Sequence, residues 1–180
     1  MNPRIHKMDL ESPDWNSIAS SSGESGGLVA QLLRKAELGD ETVYPELHHQ
    51  LCHQFTVAAV AYVAVPHLVR IARKAAFPQR VWPLSIVGGV VAGRAAFSMS
   101  AASLSEEWRT EYVEAIQDAL HLSAETLGQP GLSLSGAQEL IATVAACHGL
   151  IDLAIHLFSQ GGSTELSCAV CGEGIQFTDD

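Results

Sequence analysis

Basic side chains are scarce in this sequence. Its 180 residues include 10 lysines and arginines against 20 aspartates and glutamates, which gives a formal net charge of −10. The one short cluster of basic residues consists of Arg70, Arg73, Lys74 and Arg80. Proteins that bind nucleic acids or anionic membranes carry lysine and arginine patches, because phosphate groups repel an acidic surface. The composition therefore predicts that this protein binds neither, and it favours a basic protein partner.

Long hydrophobic runs are also missing. The longest apolar stretches cover 56–66 and 81–93, and Arg94 ends the second. A helix that crosses a membrane needs about 20 apolar residues, so neither stretch is long enough. The first 15 residues contain no apolar segment of the kind that a signal peptide requires. We therefore expect a soluble protein of the cytoplasm.

Cysteine is too rare to build a disulfide scaffold. The four cysteines are Cys52, Cys147, Cys168 and Cys171. In the reducing environment of the cytoplasm such residues remain free thiols or bind a metal ion. The fold must therefore be stabilised by its core rather than by cross-links.

Apolar residues supply that core. They make up 47% of the chain, whereas charged residues make up 17%. A chain of this length is expected to form one domain and to bury roughly 70% of its unfolded surface. The apolar spacing is helical over most of the chain and changes to short β-prone pieces at its end. We predict a flexible N-terminus over 1–12, a helical domain over 13–162 and a C-terminal hairpin over 163–180.

Start and stop signals divide the helical domain into six or seven helices. Ser12 and Pro13 predict a short first helix, and Gly39 predicts the end of a helix over 27–38. A third helix is predicted to begin at Asp40 or Thr42, with Pro45 in its first turn and with Leu47, Leu51 and Phe55 on one face. The other predicted helices cover 56–76 with Thr56 as N-cap, 82–98, 103–127, and 135–159 with Ser135 as N-cap. We expect an all-α fold, either a HEAT- or armadillo-like α-solenoid or an irregular helical bundle, with a small C-terminal β-hairpin.

Three histidines and a cysteine stand together in the segment HHQLCHQ, residues 48–54. On a helix His49 and His53 are four residues apart, as are His48 and Cys52, so either pair can reach one metal ion. The same pattern also suits polar residues at the end of a helix that need no metal. Gln50 occupies the place of the glutamate base in helical zinc proteases, which excludes that class of hydrolase.

The tail contains a Cys-x-x-Cys-Gly turn formed by Cys168, Cys171 and Gly172. Two thiolates at this spacing are half of a structural zinc site, which requires four ligands. Cys147, His148 or Cys52, or a second copy of the chain, would have to supply the others. A turn with two free thiols is the alternative. A redox dithiol is disfavoured because such motifs lie in βαβ units, which this chain lacks.

Two other groups of polar residues are interpreted as structural. The carboxylates of the helix over 103–127 are expected on its solvated face; they are Glu106, Glu107, Glu111, Glu114, Asp118 and Glu125. Asp118 and His121 have the spacing of a di-iron motif, but no second copy of that motif exists. Cys147 and His148 are adjacent on a helix and point about 100° apart, so we expect core residues rather than a catalytic pair.

The segment HQFTVAAVAYVAVPHL, residues 53–68, resembles a bacterial family of HEAT-like proteins of uncharacterised role. Its signature is His-Gln-Gly-Thr-Val followed by a helix of small residues and Ala-Val-Pro. Phe55 replaces the family's glycine and His67 its large apolar residue. Some members also end in Cys-x-x-Cys-Gly. The similarity covers residues 15–72 and the tail, and it implies a HEAT-like fold without implying a reaction.

In physical terms the signature indicates a corner between two helices. His53, Gln54 and Thr56 are polar residues at such a corner, where side chains bond to free backbone groups at helix ends. They are also our candidate binding residues. This role requires neither a metal nor a substrate.

Two functions from different classes follow. The first is a non-enzymatic interaction or adaptor module, since helical repeats present surfaces for protein partners and the negative charge favours a basic one. The alternative is a metal-containing enzyme or sensor that uses the histidine cluster over 48–53 or the Cys168/Cys171 turn. A homodimer is a further prediction, because the helix over 56–76 is apolar nearly all round. The expected cofactor is none, or one structural zinc ion.

Overall fold

The computed structural model describes residues 8–20, 22–97, 106–160, 164–167 and 174–177. These residues form seven α-helices and two small antiparallel β-hairpins. The helices are α1 Gly26–Glu37, α2 Tyr44–Leu51, α3 Ala59–Lys74, α4 Val81–Phe97, α5 Glu106–Leu127, α6 Leu134–Cys147 and α7 Ile151–Ser159. The strands are β1 Cys52–His53, β2 Thr56–Val57, β3 Thr164–Ser167 and β4 Gly174–Phe177, and short 3-10 helices cover Pro13–Ser17 and Glu41–Val43. The predicted all-α class with a C-terminal hairpin is confirmed.

The helices pack in two rows. Helices α1, α3 and α5 follow one another in the first row, and α2, α4 and α6 follow one another in the second. Each helix from α1 to α6 also contacts the next helix in the chain, across the two rows. Helix α7 packs against α6 and α4. The core therefore lies between the rows.

Helix α3 is the centre of this core, as its apolar sequence predicts. Every residue from 60 to 69 is buried, and the helix contacts α1, α2, α4 and α5. Burial of a single valine or leucine side chain contributes about 1.5–3 kcal/mol. A helix that is apolar all round gains this energy only when neighbours cover every side, which explains its position.

Glycines allow α4 to approach its neighbours closely. A Cβ atom on Gly88 would lie 2.4 Å from Thr143 Oγ1 of α6, and one on Gly93 would lie 2.4 Å from the carbonyl oxygen of Phe55. Neither distance is compatible with a side chain. The hydroxyl of Thr143 lies 3.2 Å from the Leu84 carbonyl oxygen and so ties the two helices together.

Two helix ends lie where the sequence signals place them. Ser12 caps the first 3-10 helix by accepting the amide proton of Asp14. After α1, the amide of Gly39 donates to the Ala36 carbonyl and that of Asp40 to the Lys35 carbonyl. Gly39 has a positive φ of 88°, which completes the usual glycine-terminated helix end.

The predicted helix over 135–159 is wrong, because the chain breaks it at 148–150 into α6 and α7. Gly149 has a φ of 77°. The same pair of backbone hydrogen bonds that ends α1 also ends α6: the amide of Gly149 donates to the Ala146 carbonyl, and that of Leu150 donates to the Ala145 carbonyl. Ser133 rather than Ser135 caps α6 and accepts the amide proton of Gly136.

The predicted N-cap role of Thr56 is also wrong. Thr56 lies in β2 and pairs with His53, while Ala58 precedes α3 without a side-chain cap. Gln54 and Phe55 form the connecting turn with φ values of 49° and 61°. Two consecutive residues with positive φ are characteristic of a tight two-residue β-hairpin. The corner is therefore a β-hairpin between α2 and α3, not a direct helix-to-helix junction.

Two polar residues depart from their predicted environments. Glu111, expected on a solvated face, is only 8% exposed, because it belongs to the stripe of α5 that continues through Ala115 and Ala119 into the core. His148, expected in the core, is exposed at the C-terminal end of α6, and Cys147 is half-buried. Asp118 forms an ion pair with Arg73 at 2.6 Å, as a surface carboxylate can.

Candidate functional site

The structure brings together one of the two histidine-cluster pairs. The rings of His49 and His53 lie edge to face with centroids 4.7 Å apart. Both side chains are exposed at the C-terminal end of α2 and the start of the β1–β2 hairpin. Among the described residues, no group of three or more His, Cys, Asp or Glu side chains is arranged to hold a metal ion. This cluster therefore presents two candidate ligands.

The second pair, His48 with Cys52, is not a ligand pair. Cys52 is 1% exposed, and its thiol donates to the carbonyl oxygen of Gly89 in α4 at 3.5 Å. Burial raises the pKa of this thiol to about 11, so it stays protonated at neutral pH. Burial also lowers the pKa of His48, and the neighbouring His49 and His53 lower it further.

The three candidate binding residues all lie on the β1–β2 hairpin. His53, Gln54 and Thr56 are exposed. Behind them the turn packs against α4, since Gly93 leaves room for the backbone of Phe55. The hairpin is thus held from its inner side and presents these polar side chains outward.

The Cys168 and Cys171 pair lies outside the described residues. The last paired residues of the C-terminal hairpin are Ser167 and Gly174, so both cysteines belong to the segment that connects its two strands. Of the possible partners, Cys52 is buried and Cys147 is half-buried with its pKa raised by burial to about 11. A zinc site in the tail stays a prediction.

A cleft that sequence reasoning missed lies where α4 and α6 begin. Its volume is about 400 Å³, and it is lined by the N-terminal turns of both helices, by the loop residues 78–79 and 131–133 that precede them, and by Glu41 from the second 3-10 helix. Clefts of roughly 300–1,000 Å³ are typical of sites that receive small molecules or single side chains. We name this the α4–α6 cleft.

Trp82 forms an aromatic wall of this cleft. It is 50% exposed, whereas Tyr44, on which it stacks, is 3% exposed. The two rings are nearly parallel, with an interplanar angle of 5° and centroids 6.4 Å apart. A buried tyrosine therefore supports the indole from one side and leaves part of its surface free.

Glu139 places a carboxylate in the same cleft as this indole. The Ser85 hydroxyl donates to its Oε2 atom. Ser85 stands three residues after Trp82 in α4, so both side chains lie on one face of the helix. The close α4–α6 approach at Gly88 brings Glu139 within reach of Ser85.

The charge of the α4–α6 cleft is negative. Among the described residues that line it, the charged side chains are Glu41 and Glu139. The N-terminal ends of α4 and α6 contribute roughly half a positive charge each, which two carboxylates outweigh. The Ser133 hydroxyl already accepts the amide proton of Gly136 at 3.0 Å. The cleft therefore attracts a cation.

A second cleft, of about 430 Å³, lies between residues 8–11, α1 and α3, and both arginines that line it are in ion pairs. Arg34 pairs with Glu11, and Arg70 pairs with Glu37. His67 is 2% exposed and lies 3.0 Å from both the Met8 carbonyl oxygen and the Arg70 guanidinium. Because arginine can only donate, Nδ1 of His67 accepts and Nε2 donates. These contacts hold the N-terminal segment against the core and serve structure.

The signal for the α4–α6 cleft in the sequence is weak. Trp82 begins a mostly apolar helix, and Glu139 has no chemical motif around it. Their proximity depends on the packing of two helices that are distant in the chain.

No protein-family model matches this chain, and neither a curated protein nor a solved structure does so. Within the residues that the structure describes, no helix has both the length and the apolar character needed to cross a membrane.

Proposed function

We propose that this protein is a non-enzymatic interaction module of the cytoplasm, and that it binds a basic segment of a protein partner at the α4–α6 cleft. The observation that carries the proposal is that the half-exposed Trp82 lines the same cleft as Glu41 and Glu139, with no basic side chain among the described lining residues. A cation over an indole face contributes about 0.5–1 kcal/mol at an exposed site.

The charge of the whole chain supports the same partner. A formal charge of −10 draws a basic segment toward the surface and raises the rate of encounter. This long-range attraction acts on any polycation, so the specific part of the binding has to come from the cleft.

The architecture proposed for this module is a short HEAT-like solenoid. Two rows of helices with contacts between every second helix are the pattern of stacked helical hairpins. Such stacks bind protein partners along exposed surfaces between repeats. The relationship to the HEAT-like family of the sequence resemblance stays a prediction.

The test is a titration with a fluorescein-labelled peptide of alternating arginine and lysine, followed by fluorescence anisotropy at ~0.15 M salt. We expect saturable binding that weakens about two- to fivefold in Trp82→Ala, which corresponds to the 0.5–1 kcal/mol of the indole contact, and at least as much in Glu139→Gln. Glu114→Gln, at an exposed position of α5, removes the same charge away from the cleft and is the matched control.

If Glu114→Gln and Glu139→Gln reduce the affinity for the peptide equally, the binding depends on overall charge and the role of the cleft is refuted. Far-UV circular dichroism of each variant checks that it folds. Should Glu139→Gln unfold, Glu41→Gln at an exposed position provides the same test.

A further inference from the structure

We infer that the side chain selected by the α4–α6 cleft is arginine rather than lysine. The inference rests on the proposed function and deepens it. It depends on the relative placement of a flat aromatic surface and a carboxylate, a feature to which the two basic side chains respond differently.

The first argument is planarity. The Trp82 ring is held nearly parallel to the Tyr44 ring, at 5°, and 50% of the residue is exposed. A guanidinium is planar and stacks on an aromatic face, whereas an ammonium is a compact point charge. A fixed flat wall therefore adds contact area for arginine that lysine cannot use.

The second argument is the fixed orientation of Glu139. Its Oε2 atom accepts the Ser85 hydroxyl, which limits rotation of the carboxylate. A guanidinium forms two parallel hydrogen bonds with a carboxylate, and this pair of bonds adds more to the affinity when the carboxylate is already oriented. Because Trp82 and Ser85 share one face of α4, a single guanidinium can stack on the indole and bond to Glu139 together.

The third argument is hydration. Glu139 is half-buried, so a basic side chain that contacts its carboxylate must give up some of its hydration water. An ammonium is hydrated more strongly than a guanidinium, so lysine loses more on entering. All three effects favour arginine over lysine.

The experiment compares fluorescein-labelled hexa-arginine and hexa-lysine, which carry equal charge, by anisotropy on the full chain. We expect wild type to bind hexa-arginine at least about tenfold more tightly. Ser85→Ala keeps every charge but frees the Glu139 carboxylate. It should reduce the preference for arginine at least about threefold, because two parallel hydrogen bonds depend on an oriented carboxylate more than a single contact does.

Two further probes separate the contributions. Trp82→Leu keeps an apolar side chain without an aromatic face and should also reduce the preference for arginine. A hexa-arginine peptide with asymmetrically dimethylated guanidinium groups keeps its charge but loses bidentate bonding, so its affinity should fall toward that of hexa-lysine. Val113→Ala, at an exposed apolar position of α5, is the control for loss of apolar surface.

The outcomes distinguish this inference from the proposed function. Equal affinity for both peptides, with both weakened by Glu139→Gln, overturns the arginine preference and leaves the basic-partner module in place. A preference for arginine that survives both Ser85→Ala and Trp82→Leu places the selectivity elsewhere and overturns the inference. Absence of binding to either peptide overturns both.

Discussion

Single atoms decide how closely the β1–β2 hairpin packs on α4. At Gly93 a Cβ atom would lie 2.4 Å from the Phe55 carbonyl oxygen and 2.8 Å from Val57 Cγ2. We predict that Gly93→Ala lowers the free energy of unfolding by about 1–3 kcal/mol, because the hairpin must move away. Urea denaturation followed by circular dichroism measures the change.

Gly89 in the same helix is the matched control. Its nearest neighbour, His48 Nε2, would lie 3.7 Å from an added Cβ, which is an ordinary contact. Gly89→Ala should therefore stabilise the protein by roughly 0.5–1 kcal/mol, since alanine favours helix more than glycine does. Equal effects at the two positions would show that helix propensity rather than hairpin packing determines the result.

The ionisation of His48 makes stability depend on pH. Burial lowers its pKa in the folded protein below the ordinary 6.5. At a pH between the lowered pKa and 6.5, the unfolded chain therefore binds a proton that the folded chain does not. Stability is therefore highest above pH 6.5 and falls as the pH drops toward the lowered pKa. We predict that wild type loses more stability than His48→Gln between neutral and mildly acidic pH, as urea midpoints at both pH values will show. Identical losses would contradict the prediction.

The thiols of Cys52 and Cys147 should react slowly with iodoacetamide. Burial raises the pKa of each to about 11, so the reactive thiolate is much rarer than in an unfolded chain. Mass spectrometry of the Cys168→Ala/Cys171→Ala variant at pH ~7.5 should find both thiols unmodified when folded and alkylated in urea. Rapid labelling of the folded variant would count against this.

At the scale of elements, the break between α6 and α7 is the feature that the apolar pattern missed. The pattern continues through 148–150, while Gly149 adopts a φ of 77° and ends the helix. We predict that Gly149→Ala costs ~1–2 kcal/mol in unfolding free energy, because alanine is strained in this left-handed conformation. Gly149→Asn should cost less, since asparagine tolerates it better.

Gly128, just after α5, provides the comparison for this prediction. An added Cβ would contact nothing closer than the Glu125 carbonyl oxygen at 3.5 Å. Gly128→Ala should change stability by no more than about 0.5 kcal/mol. Thermal unfolding of the three variants beside wild type decides whether the backbone conformation at Gly149 is the cause.

The elements show which local signals suffice for prediction. Ser12 as a cap and Gly39 as a terminator act within a few residues, so the sequence predicts both correctly. The role of Thr56 was mispredicted because a cap and a short strand suit threonine equally well. The turn also places Phe55 at a φ of 61°, which a bulky residue rarely adopts. Packing of this hairpin against Gly93 is a tertiary effect that no local pattern reveals.

At the scale of the whole molecule, metal binding is the alternative function that remains to be measured. Within the described residues no group of three ligands exists, so we expect the metal content of His49→Ala/His53→Ala to equal that of wild type. Inductively coupled plasma mass spectrometry of protein purified without chelator tests this. Zinc lost from the histidine variant alone would contradict it and favour an enzyme or sensor.

The Cys168→Ala/Cys171→Ala variant completes that experiment. About one zinc ion per chain that disappears with these cysteines would establish the structural site predicted for the tail. The predicted homodimer is decided on the same samples by analytical ultracentrifugation, with Leu150 and Leu153 as exposed apolar positions for substitution.

The sequence by itself determined the helical class, the central position of α3 and the terminal hairpin, because apolar spacing and turn residues act between near neighbours. It also determined the acidic character that favours a basic partner. Only the tertiary structure decided the α4–α6 cleft. Ser85 and Glu139 are 54 residues apart in the chain and meet because glycine lets α4 and α6 approach closely. Trp82 likewise stacks on Tyr44, which belongs to a different helix.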